Sequence, residues 1–219
     1  MEWYGKQLTL REKGLRADIV TEADGAAEEL IVRRLRAAYP AAAILGEESG
    51  LHSGTNAERW IVDPLDGTTN FAHGYPFFCV SIAYELQGEL HAGAIYAPFF
   101  DELFIAEKGK GAFLNGQRIQ VSQTPNIASG LVCTGFVPSR YEQNAAHFAR
   151  LSHHAQGVRR DGSAALDLAS VAAGALIVTE AGGHVTNINT PTFDVNQRSI
   201  LASNAKVHQE MQTLLSIPT

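Results

Sequence analysis

Cysteine, methionine and tryptophan are scarce in this chain, with two of each among 219 residues. Cys79 and Cys133 have neither the paired spacing of a zinc site nor the density of a secreted disulfide scaffold. Both lie in apolar, strand-like runs, so they read as buried thiols. Long apolar runs are missing as well: none approaches the roughly 20 residues of a membrane-spanning helix, and no membrane partner is expected. The opening MEWYGKQLTLREKG carries no signal-peptide core, so the expected location is the cytoplasm. A basic excess is also absent. The formal net charge is −6, and no broad positive field invites nucleic acid. No repeat, low-complexity tract or linker divides the chain, whose length suits one large domain or two halves around a shared core.

What is present is ordinary globular material, 45% hydrophobic and 18% charged. TEAD at 21–24 followed by AAEELIVRRLRAAYP predicts a helix. Thr21 is its N-cap, Ala27, Leu30, Ile31, Leu35 and Ala38 form its apolar face, and Pro40 marks its stop. AILGEE at 43–48 and WIV at 60–62 read as short strands ending in acid. FFCVSIAYEL and ELHAGAIYA, joined at Gln87-Gly88, read as a hairpin, and Asn115-Gly116 signals another tight turn. SGLVCTG at 129–135 is a further strand, and 142–155 a candidate helix. Residues 163–181 read as one mostly apolar, buried helix ended by Gly182-Gly183. HVTNI, SILAS and a helix from about Asn204 close the chain. A meander followed by mixed strands and helices predicts layered sheets and helices and not a regular β-α-β alternation. Phe77, Phe78, Phe99, Phe100 and Tyr84, at strand spacing, are expected in the core.

Acids collect where elements end: Asp24 near a helix start, Glu47 after ILG, and Asp63 and Asp66 after WIV. Pro64 cannot donate to a sheet ladder, so the strand should stop there. A turn over 63–66 aims both aspartates and the Leu65 carbonyl into one space. These are hard oxygen donors of the kind Mg²⁺ prefers. Gly67-Thr68-Thr69-Asn70 then opens a turn or short helix whose free N–H groups suit phosphate. Taken singly, DPLDG is also an ordinary turn and Glu47-Glu48 an ordinary solvated pair. Together they point to a metal-dependent site for a phosphate. With no Cys or His nucleophile motif, direct attack by water is favoured over a covalent intermediate.

VTEAD at 20–24, ILGEES at 44–49, WIVDPLDGTTNF at 60–71 and GSAALDLASVAAG at 162–174 resemble the inositol monophosphatase family. The likeness runs from about residue 13 to the C-terminus. It implies an α+β fold, a layered α/β/α/β/α sandwich of the inositol monophosphatase and fructose-1,6-bisphosphatase type. It implies a single domain over 1–219, with a metal and phosphate half at about 1–125 and a substrate-side half at about 126–219. The implied activity is Mg²⁺-dependent hydrolysis of a small phosphorylated polyol or sugar, inositol monophosphate first, by a homodimer. Glu47, Asp63, the Leu65 carbonyl and Asp66 correspond to metal ligands, and Asp66 also to the residue touching a substrate hydroxyl. Gly67 and Thr68 correspond to the phosphate turn. Thr68 with Asp24 correspond to the pair that orients and deprotonates the water. Gly162, Ser163, Ala164 and Ala165 correspond to the turn that holds the polyol.

The resemblance also defines a departure. The family carries a block between VAAG and ALIVTEAGG: a strand ending in an acid, then a Trp-Asp pair opening a helix, whose aspartate binds the second metal. Here VAAG at 171–174 runs directly into ALIVTEAGG at 175–183, and neither Trp3 nor Trp60 precedes an aspartate. About one strand and part of a helix are therefore expected to be missing, leaving neighbouring strands unpaired and the second metal more weakly bound. A deletion between two similar stretches is one origin. Asp161, Asp167 and Asp194 are weighed as substitutes, and none matches the lost position. The N-terminal helix is also short, since only Met1–Glu12 precede the lysine region at Lys13. A catalytically impaired relative serving as a binding partner is the alternative. Within the enzyme class, histidinol phosphate, fructose 1,6-bisphosphate and adenosine 3′,5′-bisphosphate are rival substrates. His153-His154 and Arg159-Arg160 read as surface pairs, and His73 as a residue near the site's rim.

Overall fold

Thr21 starts the first helix by satisfying backbone donors that have no partner within it. Its hydroxyl accepts from the Ala23 N–H, and the Asp24 carboxylate reaches back to the Thr21 N–H at 2.8 Å, a reciprocal capping box. In the computed structural model, which describes residues 1–6, 8, 11–12, 19–55, 57–136, 140–171, 175–194 and 199–216, this helix is α1 (Glu22–Ala38). A short ladder, β1 (Arg11–Glu12) with β2 (Ile19–Val20), precedes it. The expected apolar stripe is not what α1 buries. Ala23, Asp24 and Glu28 are buried, whereas Leu30 and Ala38 are exposed. Two acids displace the leucine because each finds backbone or hydroxyl donors in the interior, which removes the penalty of burying charge.

The dominant sheet has eight strands. They are β3 (Ala43–Gly46), β4 (Gly50–His52), β5 (Glu58–Asp66), β6 (Cys79–Leu86), β7 (Glu89–Ala97), β8 (Glu102–Glu107), β9 (Gly111–Leu114) and β10 (Gln117–Ile119). The spatial order is β10-β9-β8-β7-β6-β5-β3-β4, antiparallel throughout except for β3 against β5. Both hairpin signals hold. Gln87, Gly88, Asn115 and Gly116 all have positive φ, the conformation of tight two-residue turns. Pro64 does not end β5, which continues to Asp66. A register shift between Asp63 and Asp66 lets the ladder skip the residue without a donor. The short helix α2 (Thr68–Ala72) follows.

Beyond the sheet come a 3₁₀ turn (Ile127–Ser129), β11 (Leu131–Cys133), α3 (Tyr141–His154), β12 (Gly157–Arg159), α4 (Ala164–Val171), α5 (Ala175–Glu180), β13 (His184–Thr186), β14 (Leu201–Ser203) and α6 (His208–Ser216). Of the helix expected over 163–181, the described residues show α4 and α5, and residues 172–174 between them lie outside the described residues, as does Lys13. The layers stack as α1, large sheet, α4 with α5, small strands, then α3 with α6. The main core joins Ile95, Phe104 and Ala106 of the sheet to Leu166 and Ala169 of α4. A second core joins Ile127, Leu151, Leu201 and Met211. Burial of each large aliphatic or aromatic side chain contributes about 1.5–3 kcal/mol. The small strands form two separate ladders, β11 parallel to β12 and β13 antiparallel to β14, with no described strand pairing one to the other.

Phe78 and Cys79 are buried as expected, and Tyr84 is half-buried against Trp60. Cys133 is only half-buried. Phe99 and Phe100 depart from expectation. They lie in the turn after β7, beyond the sheet's packed face, and both are exposed. No helix among the described residues is long and apolar enough to cross a membrane.

His208 pins α6 to the ladder beneath it. Its two ring nitrogens meet Ser203 Oγ at 2.9 Å and Thr186 Oγ1 at 3.0 Å, and the His184 ring stands edge-on at 4.3 Å. Burial first, and then His184, lower its pKa from 6.5 to about 4. The unfolded chain therefore takes up a proton that the folded chain refuses, and this contribution is whole above pH 6.5 and lost as pH falls through about 4. Urea midpoints measured across that window should fall more steeply for the wild type than for His208→Asn. Parallel slopes would contradict the assignment.

Candidate active site

Four segments converge on one end of β5: the start of α1, the turn after β3, the β5–α2 junction and the start of α4. Asp24, almost fully buried, is the hub of the first. Its Oδ2 accepts from the Thr21 N–H and from Thr21 Oγ1 at 2.6 Å. Its Oδ1 accepts from Thr68 Oγ1 at 2.9 Å. Thr68 Oγ1 also lies 3.0 Å from the Leu65 carbonyl. A hydroxyl has one proton, so Thr68 donates to either partner and is left an acceptor for a third group. The expected Asp24–Thr68 pair is formed, across a sequence distance that only the fold closes.

Glu47 and Asp63 are also together. The Glu47 N–H donates to the Val62 carbonyl at 3.0 Å, extending the parallel ladder, and the Glu47 side chain hydrogen-bonds Asp63. Asp63 Oδ1 accepts from the Leu65 N–H at 3.1 Å. Burial, reinforced by the charges of Glu47 and Asp66, pushes the Asp63 carboxyl up to about 9. Two carboxyl groups in hydrogen-bond contact share a proton, and a hard divalent cation is the other way to hold them together. They open onto a groove of about 360 Å³ floored by Leu45, Ile61, Ser81 and Ala83.

Asp66 is oriented differently. Its Oδ2 accepts from Ser163 Oγ and from the Ala165 N–H, both at 2.6 Å, and its Oδ1 from the Ala164 N–H at 3.2 Å. It caps α4, where the positive end of the helix favours an anion. Burial nevertheless raises its pKa, against the lowering effect of these three donors. Among the described residues no three His, Cys, Asp or Glu side chains are gathered as ligands. Glu47 and Asp63 fit a cation as a pair, and Asp66 is engaged elsewhere.

Gly67 adopts φ +93°, and a Cβ there would sit 2.8 Å from the Phe77 carbonyl, so no other residue fits this turn without strain. Gly162, Ser163 and Ala164 lie beside it. Ser163 is fully buried, and its Oγ also accepts from the Leu166 N–H. Asn70 ties the two turns together, donating to the Phe77 carbonyl at 2.6 Å and the Asp161 carbonyl at 2.7 Å.

Asp167 is buried in α4 with Oδ2 lacking a hydrogen-bond partner. Burial, then Asp161 and Asp66, hold its pKa up to about 7. Asp194 is a loop residue whose backbone is clasped by Asn187. Arg160 stacks over Phe136, and His73 and His154 are exposed. Two residues of the site escape a reading of the sequence. Glu28 is buried and binds the Glu48 and Ser49 N–H groups, yet in GAAEELI it looks like any solvated glutamate. Asn70 shows in the sequence only as part of a turn.

A profile of the inositol monophosphatase family matches residues 1–176 and again 171–216, so that 171–176 fits both halves. An inositol-1-monophosphatase of Synechocystis is 43% identical over 235 aligned residues, which cover 97% of this chain and 82% of that protein. That alignment is longer than the chain itself, so the relative carries residues with no counterpart here. The Nus factor SuhB of Pseudomonas aeruginosa is 40% identical over 95% of this chain and 86% of its own. A crystal structure of the extragenic suppressor protein suhB from Bartonella henselae superposes with a TM-score of 0.90, at 39% identity, over 97% of this chain and 90% of that one. With a matching profile along its length, relatives near 40% identity and the same layered fold, this chain belongs to the inositol monophosphatase family, a family of phosphoric monoester hydrolases.

Proposed function

We propose that this chain hydrolyses a small phosphate monoester, inositol monophosphate first, by direct attack of water with Mg²⁺ as cofactor. The observation that carries the reading is the Asp24–Thr68 hydrogen bond standing beside the Glu47–Asp63 pair, in a member of this family. Glu47, Asp63 and the Leu65 carbonyl would hold one cation, with Asp66 as a further donor whose charge acts on Asp63. Bound there, Mg²⁺ supplies charge neutralisation of the phosphate and a lowered pKa for the attacking water. The remaining work belongs to the chain. Thr68 orients the water through its hydroxyl and passes the proton to Asp24, whose other oxygen is already fixed by Thr21. The N–H groups at Gly67 and Thr68 hold the phosphate. Asp66, locked against Ser163, Ala164 and Ala165, presents the polyol with a rigid acceptor. The chain acts as one domain, its halves joined by Asp66 and Asn70. A cytoplasmic homodimer is part of the same proposal and rests on the resemblance alone.

A second reading has its own support. Asp66 is committed to α4, the family profile matches in two overlapping pieces, and one relative is called a Nus factor. A chain short of a ligand for a second metal could keep the fold as a binding surface and turn over slowly. Calorimetry separates the two: tight binding of Mg²⁺ and phosphate without turnover supports the second reading.

Purified protein with Mg²⁺ should release phosphate from inositol 1-phosphate, and Asp63→Asn should abolish release while the protein stays folded by circular dichroism. No release from this ester or from other small polyol and sugar phosphates would reject the enzyme. Thr68→Val and Asp24→Asn should each lower kcat on the order of 10²-fold or more. As two parts of one proton path, the pair should cost little more than the worse single change. Fully additive losses would break the relay.

A further inference from the structure

The turn between β3 and β4 spans only Glu47, Glu48 and Ser49, yet all three of its backbone N–H groups are engaged. Glu47 donates to the Val62 carbonyl at 3.0 Å. Glu48 donates to Glu28 Oε2 at 2.9 Å, and Ser49 to Glu28 Oε1 at 2.7 Å. One carboxylate from another element thus takes two of three donors, in charge-assisted bonds of the stronger kind. Glu28 is buried, and the chain makes room for it. A Cβ on Gly46 would lie 2.6 Å from its carboxyl carbon, so the carboxylate sits directly against the backbone before Glu47. Glu28 is four residues after Asp24 on α1, hence on the same helix face. A single rigid rod therefore carries the carboxylate that binds Thr68 and the carboxylate that clasps the turn bearing Glu47.

We propose that Glu28 is a positioning residue for the metal side of the site: through the Glu48 and Ser49 N–H groups it fixes the backbone of Glu47, and so sets the affinity for the divalent cation. The inference rests on the proposed function, because it gives Glu47 the role of ligand. Glu28 itself does not touch metal or substrate. Outer partners of this kind commonly change metal affinity by about 10–100-fold when altered.

The experiment compares wild type, Glu28→Gln, Gly46→Ala and Glu29→Gln. The glutamine at 28 offers one acceptor oxygen and turns an amide donor toward the second N–H. The alanine at 46 displaces the carboxylate without changing any charge. Glu29 is exposed on the same helix, and its substitution removes the same charge without touching the turn. Mg²⁺ binding is read by titration calorimetry, alongside Mg²⁺ dependence of phosphate release and thermal midpoints. Glu28→Gln and Gly46→Ala should each weaken Mg²⁺ binding at least about tenfold. They should raise the half-saturating Mg²⁺ concentration for turnover by the same factor, with kcat at saturating metal largely kept. Glu29→Gln should bind as the wild type does. If the first two lower only the thermal midpoint, Glu28 is structural and the proposal fails. An equal loss in Glu29→Gln overturns it in favour of bulk charge. If Glu28→Gln does not fold, Gly46→Ala decides alone. A wild type that neither binds Mg²⁺ nor hydrolyses the ester rejects the proposed function, and the inference falls with it. A wild type that does both, with variants that match it, rejects the inference only.

Discussion

Withdrawing a carboxylate from water costs several kcal/mol unless donors or a cation meet it inside. This chain does so repeatedly around one end of β5. Asp24 is met by Thr21 and Thr68, Glu28 by two turn amides, and Asp66 by the first turn of α4. Each compensation is also a tether between segments distant in sequence. Asp24 ties α1 to α2, Glu28 ties α1 to the β3–β4 turn, and Asp66 ties the large sheet to α4. Glu47 and Asp63 are the exception. Asp63 meets the Glu47 side chain as well as the Leu65 N–H, and burial with neighbouring charge drives the Asp63 carboxyl up to about 9.

The hydrophobic layers supply the rigidity that makes such tethers useful. α4 lies over Ile95 and Phe104, so its N-terminus, and Asp66 with it, cannot shift without disturbing the main core. Ala23, Leu65, Phe71 and Phe78 pack under the Gly67–Thr68 turn, with Trp3 and Tyr4 against them. Among the described residues the two small ladders do not pair with each other, and the family profile matches in two pieces that overlap at 171–176.

Much of the site was legible because local chemistry determined it. Thr21 caps a helix for the same reason in a peptide as in a protein, and Gly67 is required by a positive φ. Asp63, Asp66 and Asp24 stood out as acids at element ends. What the sequence could not show were matters of tertiary partnership. A buried Glu28 and a solvated glutamate have the same neighbours in the chain, and only the turn at 47–49 tells them apart. Asp66 faces α4 because of donors nearly a hundred residues away. The apolar stripe of α1 had the right period, but Leu30 is left exposed where Asp24 and Glu28 are taken inside. Pro64, which lacks a ladder donor, looks in the sequence like the end of a strand, yet a register shift carries β5 past it.

The central claim is that the Glu47–Asp63 pair is a cation site beside a phosphate cradle. Anomalous scattering from crystals soaked in Mn²⁺ with inositol monophosphate tests it most directly. The account predicts a manganese peak bounded by Glu47, Asp63 and the Leu65 carbonyl, with the phosphate on the Gly67–Thr68 turn. An unoccupied site that keeps the Glu47–Asp63 hydrogen bond, or a peak bound elsewhere, would contradict it.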